Sequence, residues 1–241
     1  MNNEIKQMNL LQIILYHLLP GLPILLLAIV FSNPAWGFGL NILLAIMFAV
    51  IIGLVPVQLL IIAVFANRQN IKFKEAILYK EKIKPLKFIS WALPCFFASV
   101  LLFVSISIFE HRLWENFALI PDWLKITNFV MEDYSTNILL LTAVLNILIN
   151  GILGPVTEEI YFRGFLLPRM ENMGKAAHLV SSLLFSLYHL FSPWEIITRT
   201  IMYLPIAYAV WRTKNYYIAV AVHCTLNMIG CIGMLVGILL M

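Results

Sequence analysis

The chain has 241 residues, 62% of them hydrophobic and only 12% charged, with a formal net charge of +4 and a mean hydropathy of +0.92. A soluble domain is nearer half apolar and a quarter charged, so an ordinary soluble globule is excluded, and no nucleic-acid partner is implied. The apolar excess lies in successive runs that can cross a bilayer, about 20 residues each, with none of the alternating ten-residue strands of a barrel. The expectation is an all-α polytopic membrane bundle forming a single integral-membrane domain over 1–241, with no room for a separate soluble module.

In chain order the predicted spans are 9–31, 40–66, 88–109, 138–160, 176–191, 195–211 and 216–241. That is seven helices, or eight if the last run divides at Gly230, Gly233 or Gly237. The first follows Lys6 and lacks a small-residue cleavage site, which favours a retained span over a signal peptide. The sixth is the weakest, because it carries Glu195, Arg199 and Pro205; its two charges, four apart, suit a pair on one helix face. Cys95, Cys224 and Cys231 lie in apolar segments without a C-x-x-C and read as buried structural thiols.

The loops set an orientation. Residues 67–87 hold Arg68, Lys72, Lys74, Lys80, Lys82, Lys84 and Lys87 against Glu75 and Glu81. Residues 110–137 hold Glu110, Glu115, Asp122, Glu132 and Asp133 against Arg112 and Lys125. Basic loops stay cytoplasmic, which places the N-terminus, 67–87 and 159–175 inside, and 110–137 and the C-terminus outside. The 67–87 segment reads first as a solvated positive loop, and second as an interfacial helix with Phe73 and Ile77 on one face.

The stretch TEEIYFRG, residues 157–164, ends the fourth span with charges that are costly at membrane depth. Glu159 and Arg163 are four apart with the acid first, the favourable order for a supporting pair. Glu158 is turned about 100° away, toward a stripe of Thr142, Asn146, Asn150 and Gly154 that marks a face not turned to lipid. Pro155 removes a backbone donor, so a kink is expected just before the acids. Glu158 is thus the free carboxylate, suited to proton transfer in a poorly hydrated pocket. Two histidines can join it. His189 closes FSLYH, with Phe185 one turn earlier, and His223 opens HCTLN, with Asn227 one turn on. His17, His111 and His178 read as satisfied or interfacial histidines. Loop counting leaves the depth of His189 relative to Glu158 open.

In order, EEIYFR (158–163), FSLYH (185–189) and HCTLN (223–227) fit the patterns E-E-x-x-x-R, F-x-x-x-H and H-x-x-x-N. This resembles the CPBP family of CAAX-prenyl proteases and bacteriocin-processing enzymes, which includes the Ras-converting CAAX endopeptidase, and the resemblance covers about 138–230. It implies a protease-like core around a cavity open to the cytoplasm and the bilayer. It also implies hydrolysis of a peptide bond in a membrane-associated peptide or prenylated-protein substrate. By the resemblance Glu158 and His189 activate water, and His223 and Asn227 hold the oxyanion. No cofactor is favoured; zinc stays open as the alternative, with Glu158, His189 and His223 as its ligands, although no H-E-x-x-H is present. The competing readings are a non-catalytic self-immunity or peptide-binding membrane protein and, third, a proton-coupled transporter, for which the internal repeats are missing. Composition suits a bacterial plasma-membrane protein. Oligomeric state is not legible.

Overall fold

The computed structural model of the protein describes residues 6–36, 40–114 and 129–241. Glu4, Glu115, Asp122 and Lys125, and the side chain of His111, lie outside the described residues. Among those described there is no strand, only an isolated bridge between Lys80 and Asn215.

The first helix, α1 (Leu10–Ser32), begins at a reciprocal cap. Asn9 accepts from the Gln12 backbone N–H, and Gln12 accepts from that of Asn9. It breaks at Pro20, where the two segments Leu10–Leu18 and Gly21–Ser32 meet. After it come α2 (Ile42–Arg68) and α3 (Pro85–Glu110). Next, α4 (136–166) leads through a short 3₁₀ stretch, Leu167–Ala176, into α5 (Ala177–Leu187). The last two are α6 (Ile196–Thr213) and α7 (Tyr217–Leu239).

Five helical runs are long and apolar enough to cross a membrane: α1, α2, α3, the 52-residue run Thr136–Leu187 that holds both α4 and α5, and α7. The expected fourth and fifth spans are therefore one apolar run, broken where Gly174 takes a φ of 54°. The sixth falls short because Arg199, Pro205 and Arg212 interrupt it. The last run does not divide; its three glycines sit inside one helix.

The membrane-facing surface is explicit on α3. Leu86, Ile89, Leu93, Phe97, Leu101, Val104 and Ile108 are exposed at helical spacing. Two polar side chains of α3 face inward: Ser99 Oγ donates to the Met202 carbonyl, and Cys95 Sγ to that of Pro205. This inverts the soluble pattern and identifies a membrane protein. Cys95 and Cys231 are buried, Cys224 is half-buried, and all three are free thiols. Glu195 and Arg199 do pair, and Arg199 also donates to Ser192 Oγ at 2.9 Å. Glu110, buried at the end of α3, accepts from the Ile197 and Thr198 N–H groups and so caps α6.

The basic segment after α2 is neither a solvated loop nor an interfacial helix. One helical turn, Phe73–Ala76, is followed by a strap docked on the bundle. The Leu78 N–H donates to the Gly164 carbonyl at 2.7 Å, and the Tyr216 N–H to that of Tyr79 at 2.7 Å. Arg169 Nη2 donates to the Ala76 carbonyl at 2.9 Å. Ile77 and Tyr79 are buried by this docking while Phe73 and the lysines stay outside. The strap thus gathers residues 164–171 and 214–216 at one end of the bundle. The Met8 N–H, which donates to the Arg169 carbonyl at 3.0 Å, adds the start of α1 to it. Gly164 permits the approach, because a Cβ there would lie 2.9 Å from Ile77 Cγ2. Gly164→Val is expected to lift the strap and cost about 1–3 kcal/mol, read as a lowered thermal midpoint in detergent.

Candidate active site

Three elements converge inside the bundle. On α4, a π-helical segment, Asn146–Leu153, precedes Pro155, and a second, Glu159–Leu166, carries the second acid. The expected distortion before the acids is present as this widened turn. Glu158 is 7% exposed, and Glu159 and Arg163 are fully buried. The second element, α5, is only 11 residues long, so it ends inside the bundle rather than across it. Its end docks on the α1 break, where a Cβ on Gly21 would come within 2.0 Å of the Tyr188 carbonyl oxygen. That fixes the depth of His189, which follows directly and faces Glu158. The third element, α7, presents His223 six residues after its first turn begins, about 9 Å along the axis.

The side chains form a connected set. Glu159 Oε2 lies 3.3 Å from Arg163 Nε, so the expected pair is formed. The Arg163 guanidinium rests 4.0 Å over the Phe185 ring, with Phe162 and Tyr203 at 5.9 and 5.7 Å. The other oxygen of Glu159, Oε1, is 2.9 Å from His223 Nδ1. His223 Nε2 is then directed to Glu158 Oε2 at 3.7 Å. On the other side of Glu158, His189 Nε2 lies 3.9 Å from Oε1, and the Tyr188 hydroxyl donates to that same oxygen. His189 Nδ1 is 2.9 Å from the Phe185 carbonyl. A carbonyl can only accept, so Nδ1 carries a proton and Nε2 is the atom turned to Glu158.

Asn227 follows His223 by one turn. Its Nδ2 donates to the Asn150 carbonyl at 2.9 Å, which fixes the amide and leaves one N–H uncommitted by that bond. Of the expected stripe, Thr142, Asn146 and Gly154 are buried but the Asn150 side chain is exposed, because i→i+5 bonding widens the turn and shifts the register. Among the described residues, no group of three or more His, Cys, Asp and Glu side chains is arranged to hold a metal ion.

Residues 140–229 match the family described as Type II CAAX prenyl endopeptidase Rce1-like. This part of the chain is similar to that family. The matched segment holds every site residue named above, from Glu158 to Asn227. A curated relative, UPF0177 protein YxdF of Lactococcus lactis subsp. lactis (strain IL1403), is 32% identical over 80 residues, which are 33% of this chain and 45% of that protein. The match thus spans less than half the length of that relative. No solved structure matches.

Sequence reasoning missed three contributors to the site. Tyr188 lies inside the FSLYH stretch but reads as filler between Phe185 and His189. Tyr203, whose ring lies 4.9 Å from that of His223, sits on the least apolar helix and carried no signal. Phe185 was placed one turn before His189 without a role. It is the platform of the site: its face carries Arg163, its ring lies 5.1 Å from that of His189, and its carbonyl faces His189 Nδ1.

Proposed function

We propose that the protein is an intramembrane endopeptidase that hydrolyses a peptide bond of a membrane-associated peptide or CAAX-like substrate. The observation that carries this is the convergence of His189 Nε2 and His223 Nε2 on the two oxygens of one buried carboxylate, Glu158. Both distances exceed a direct hydrogen bond, so each Nε2 and one Glu158 oxygen remain free to act on a third group.

In this mechanism Glu158 Oε2 takes a proton from water as the water oxygen bonds to the scissile carbonyl carbon. His189 accepts the second water hydrogen bond at Nε2 and so aims the lone pair. The carbonyl π electrons move onto oxygen. With its Nδ1–H committed to Glu159, His223 in its imidazolium form donates Nε2–H to that oxyanion, and Asn227 supplies its second N–H. Each such donor is worth about 2.7–4 kcal/mol in other proteases. The carbonyl re-forms, the C–N bond breaks, and the departing amine takes the proton from Glu158. Tyr188 holds the other carboxylate oxygen throughout. No step passes through a metal. Turnover of the purified protein is expected to survive chelation, with no stoichiometric metal by elemental analysis; stoichiometric zinc with chelator-sensitive turnover would sink the metal-free mechanism.

For membrane placement, the gathering of residues 8, 68–81, 164–171 and 214–216 at one end, with 110 and 197 together at the other, supports seven crossings. The fifth is completed by α5 and the irregular segment after it, which is tolerated at depth because protein covers it. The positive-inside rule then puts the strap, the N-terminus and the near side of the site on the cytoplasmic face of a bacterial plasma membrane.

The test is comparative peptidomics of membranes carrying the wild type or Glu158→Ala. Peptides that shorten only with the wild type support the reading. Identical profiles, together with retained binding of a membrane peptide, would favour the non-catalytic immunity or peptide-binding alternative.

A further inference from the structure

A groove of about 300 Å³ lies between the start of α1 and the end of α2, outside the site just described. Lys6 and Arg68 stand at one end, and Leu60, Val64, Phe65 and Tyr16 line the rest. The two helices run antiparallel here, so polarity changes with depth. Residues 6–8 lie beside 68–69 at the basic end, and residue 16 lies beside 60–61. Eight residues of helix separate these levels, about 12 Å. Lys6 and Arg68 are exposed, and neither makes an ion pair with a described residue. Leu60 and Val64 are exposed on the outer face of a membrane-spanning helix, so the groove opens to acyl chains and not only to water.

We propose that this groove holds one anionic phospholipid, its phosphate between Lys6 and Arg68 and one acyl chain along Leu60, Val64 and Tyr16. A soluble anion would use the cations and leave the apolar wall idle; a zwitterionic lipid would use the wall and leave two cations uncompensated. Basic pockets between membrane helices favour anionic headgroups for this reason. A third positive charge reinforces the choice: the Arg169 guanidinium lies 4.4 Å from the Phe65 ring, behind the wall. The lipid would touch the layer that supports the site. The Tyr16 carbonyl accepts from the Tyr161 hydroxyl at 2.6 Å, and Phe65 packs edge-on against Phe165 at 5.1 Å. An occupant therefore braces α1 and α2 against the helix that carries Glu158. The inference needs the membrane placement and not the proposed reaction, so an inactive protein would leave it standing.

The experiment is native mass spectrometry of the full chain in detergent, titrated with phosphatidylglycerol, phosphatidylcholine or glycerol phosphate. One phosphatidylglycerol per chain is expected, held about thirtyfold more tightly than phosphatidylcholine, as two cations at a lipid surface predict. Lys6→Gln with Arg68→Gln should abolish that preference, and Val64→Trp should displace the lipid with both charges kept. Lys82→Gln with Lys84→Gln, on the strap at the same end, should change nothing. Equal retention of phosphatidylcholine, equally tight glycerol phosphate, or an equal loss in the strap variant would each overturn the proposal. Thermal midpoints of all variants separate lost binding from lost fold, and the two groove variants fail by different routes.

Discussion

Glu158→Gln is expected to lower turnover by about 10²–10⁴-fold, the range for removing a positioned general base, while the protein keeps its fold. The substitution is isosteric, and its partners can all be satisfied. The Tyr188 hydroxyl can still donate to the side-chain oxygen, since it donates to Glu158 Oε1 in the wild type. The new NH₂ then takes the Oε2 position, 3.7 Å from His223 Nε2, which can accept from it while the Nδ1–H of that ring faces Glu159. The Glu159–Arg163 pair and its contact to His223 are untouched. What is lost is the ability to accept a proton. The measurement is single-turnover cleavage of a membrane peptide in proteoliposomes, beside the thermal midpoint in detergent. Turnover within a few-fold of the wild type would remove Glu158 from the chemistry and leave it as a polar contact between helices.

How much of this site was legible in the chain depends on the range of each contact. The Glu159–Arg163 pair needed only helical spacing, and it formed even though the helix there is π rather than α. The Glu195–Arg199 pair was legible for the same reason. The stripe above Glu158 failed at Asn150, because the π segment Asn146–Leu153 shifts the register and nothing in a single sequence announces an i→i+5 turn. Asn150 matters through its carbonyl, which a side-chain pattern cannot reveal. The bond from Glu159 to His223 spans 64 residues, and its partner choice depends on how α4 and α7 pack. The strap after α2 was misread for another reason. Its lysines set a solvated composition, while Ile77 and Tyr79, between them, are the residues that dock. The opening created by Gly164, five residues past Glu159, is visible only once the strap is in place. Pro20 and Gly174 break helices inside single apolar runs, and Arg199 and Pro205 dilute the apolar signal of α6, so hydropathy alone does not mark these boundaries.

Arg163→Met alone is expected to destabilise the protein by about 3–5 kcal/mol, because it leaves the Glu159 carboxylate buried without its cation. Both side chains are fully buried, so neither charge can turn to water. The double variant Glu159→Gln with Arg163→Met should recover most of that loss, since it removes both charges together and Met can keep the contact with the Phe185 face. Activity should not recover with it. Glu159 also holds His223 Nδ1 at 2.9 Å, and a neutral amide can accept there without balancing an imidazolium. His223 then loses the partner that makes Nε2 a charged donor, as in a triad whose orienting carboxylate has been neutralised, where rate falls by orders of magnitude with the geometry intact. The expected result is a near-normal thermal midpoint with turnover down by about 10²-fold or more. It separates the two functions of one carboxylate: the oxygen facing Arg163 stabilises the bundle, and the oxygen facing His223 serves the reaction. Turnover that rises with the restored midpoint would mean that Glu159 acts on stability alone, and that His223 is positioned by the packing of α7 against the Tyr203 ring.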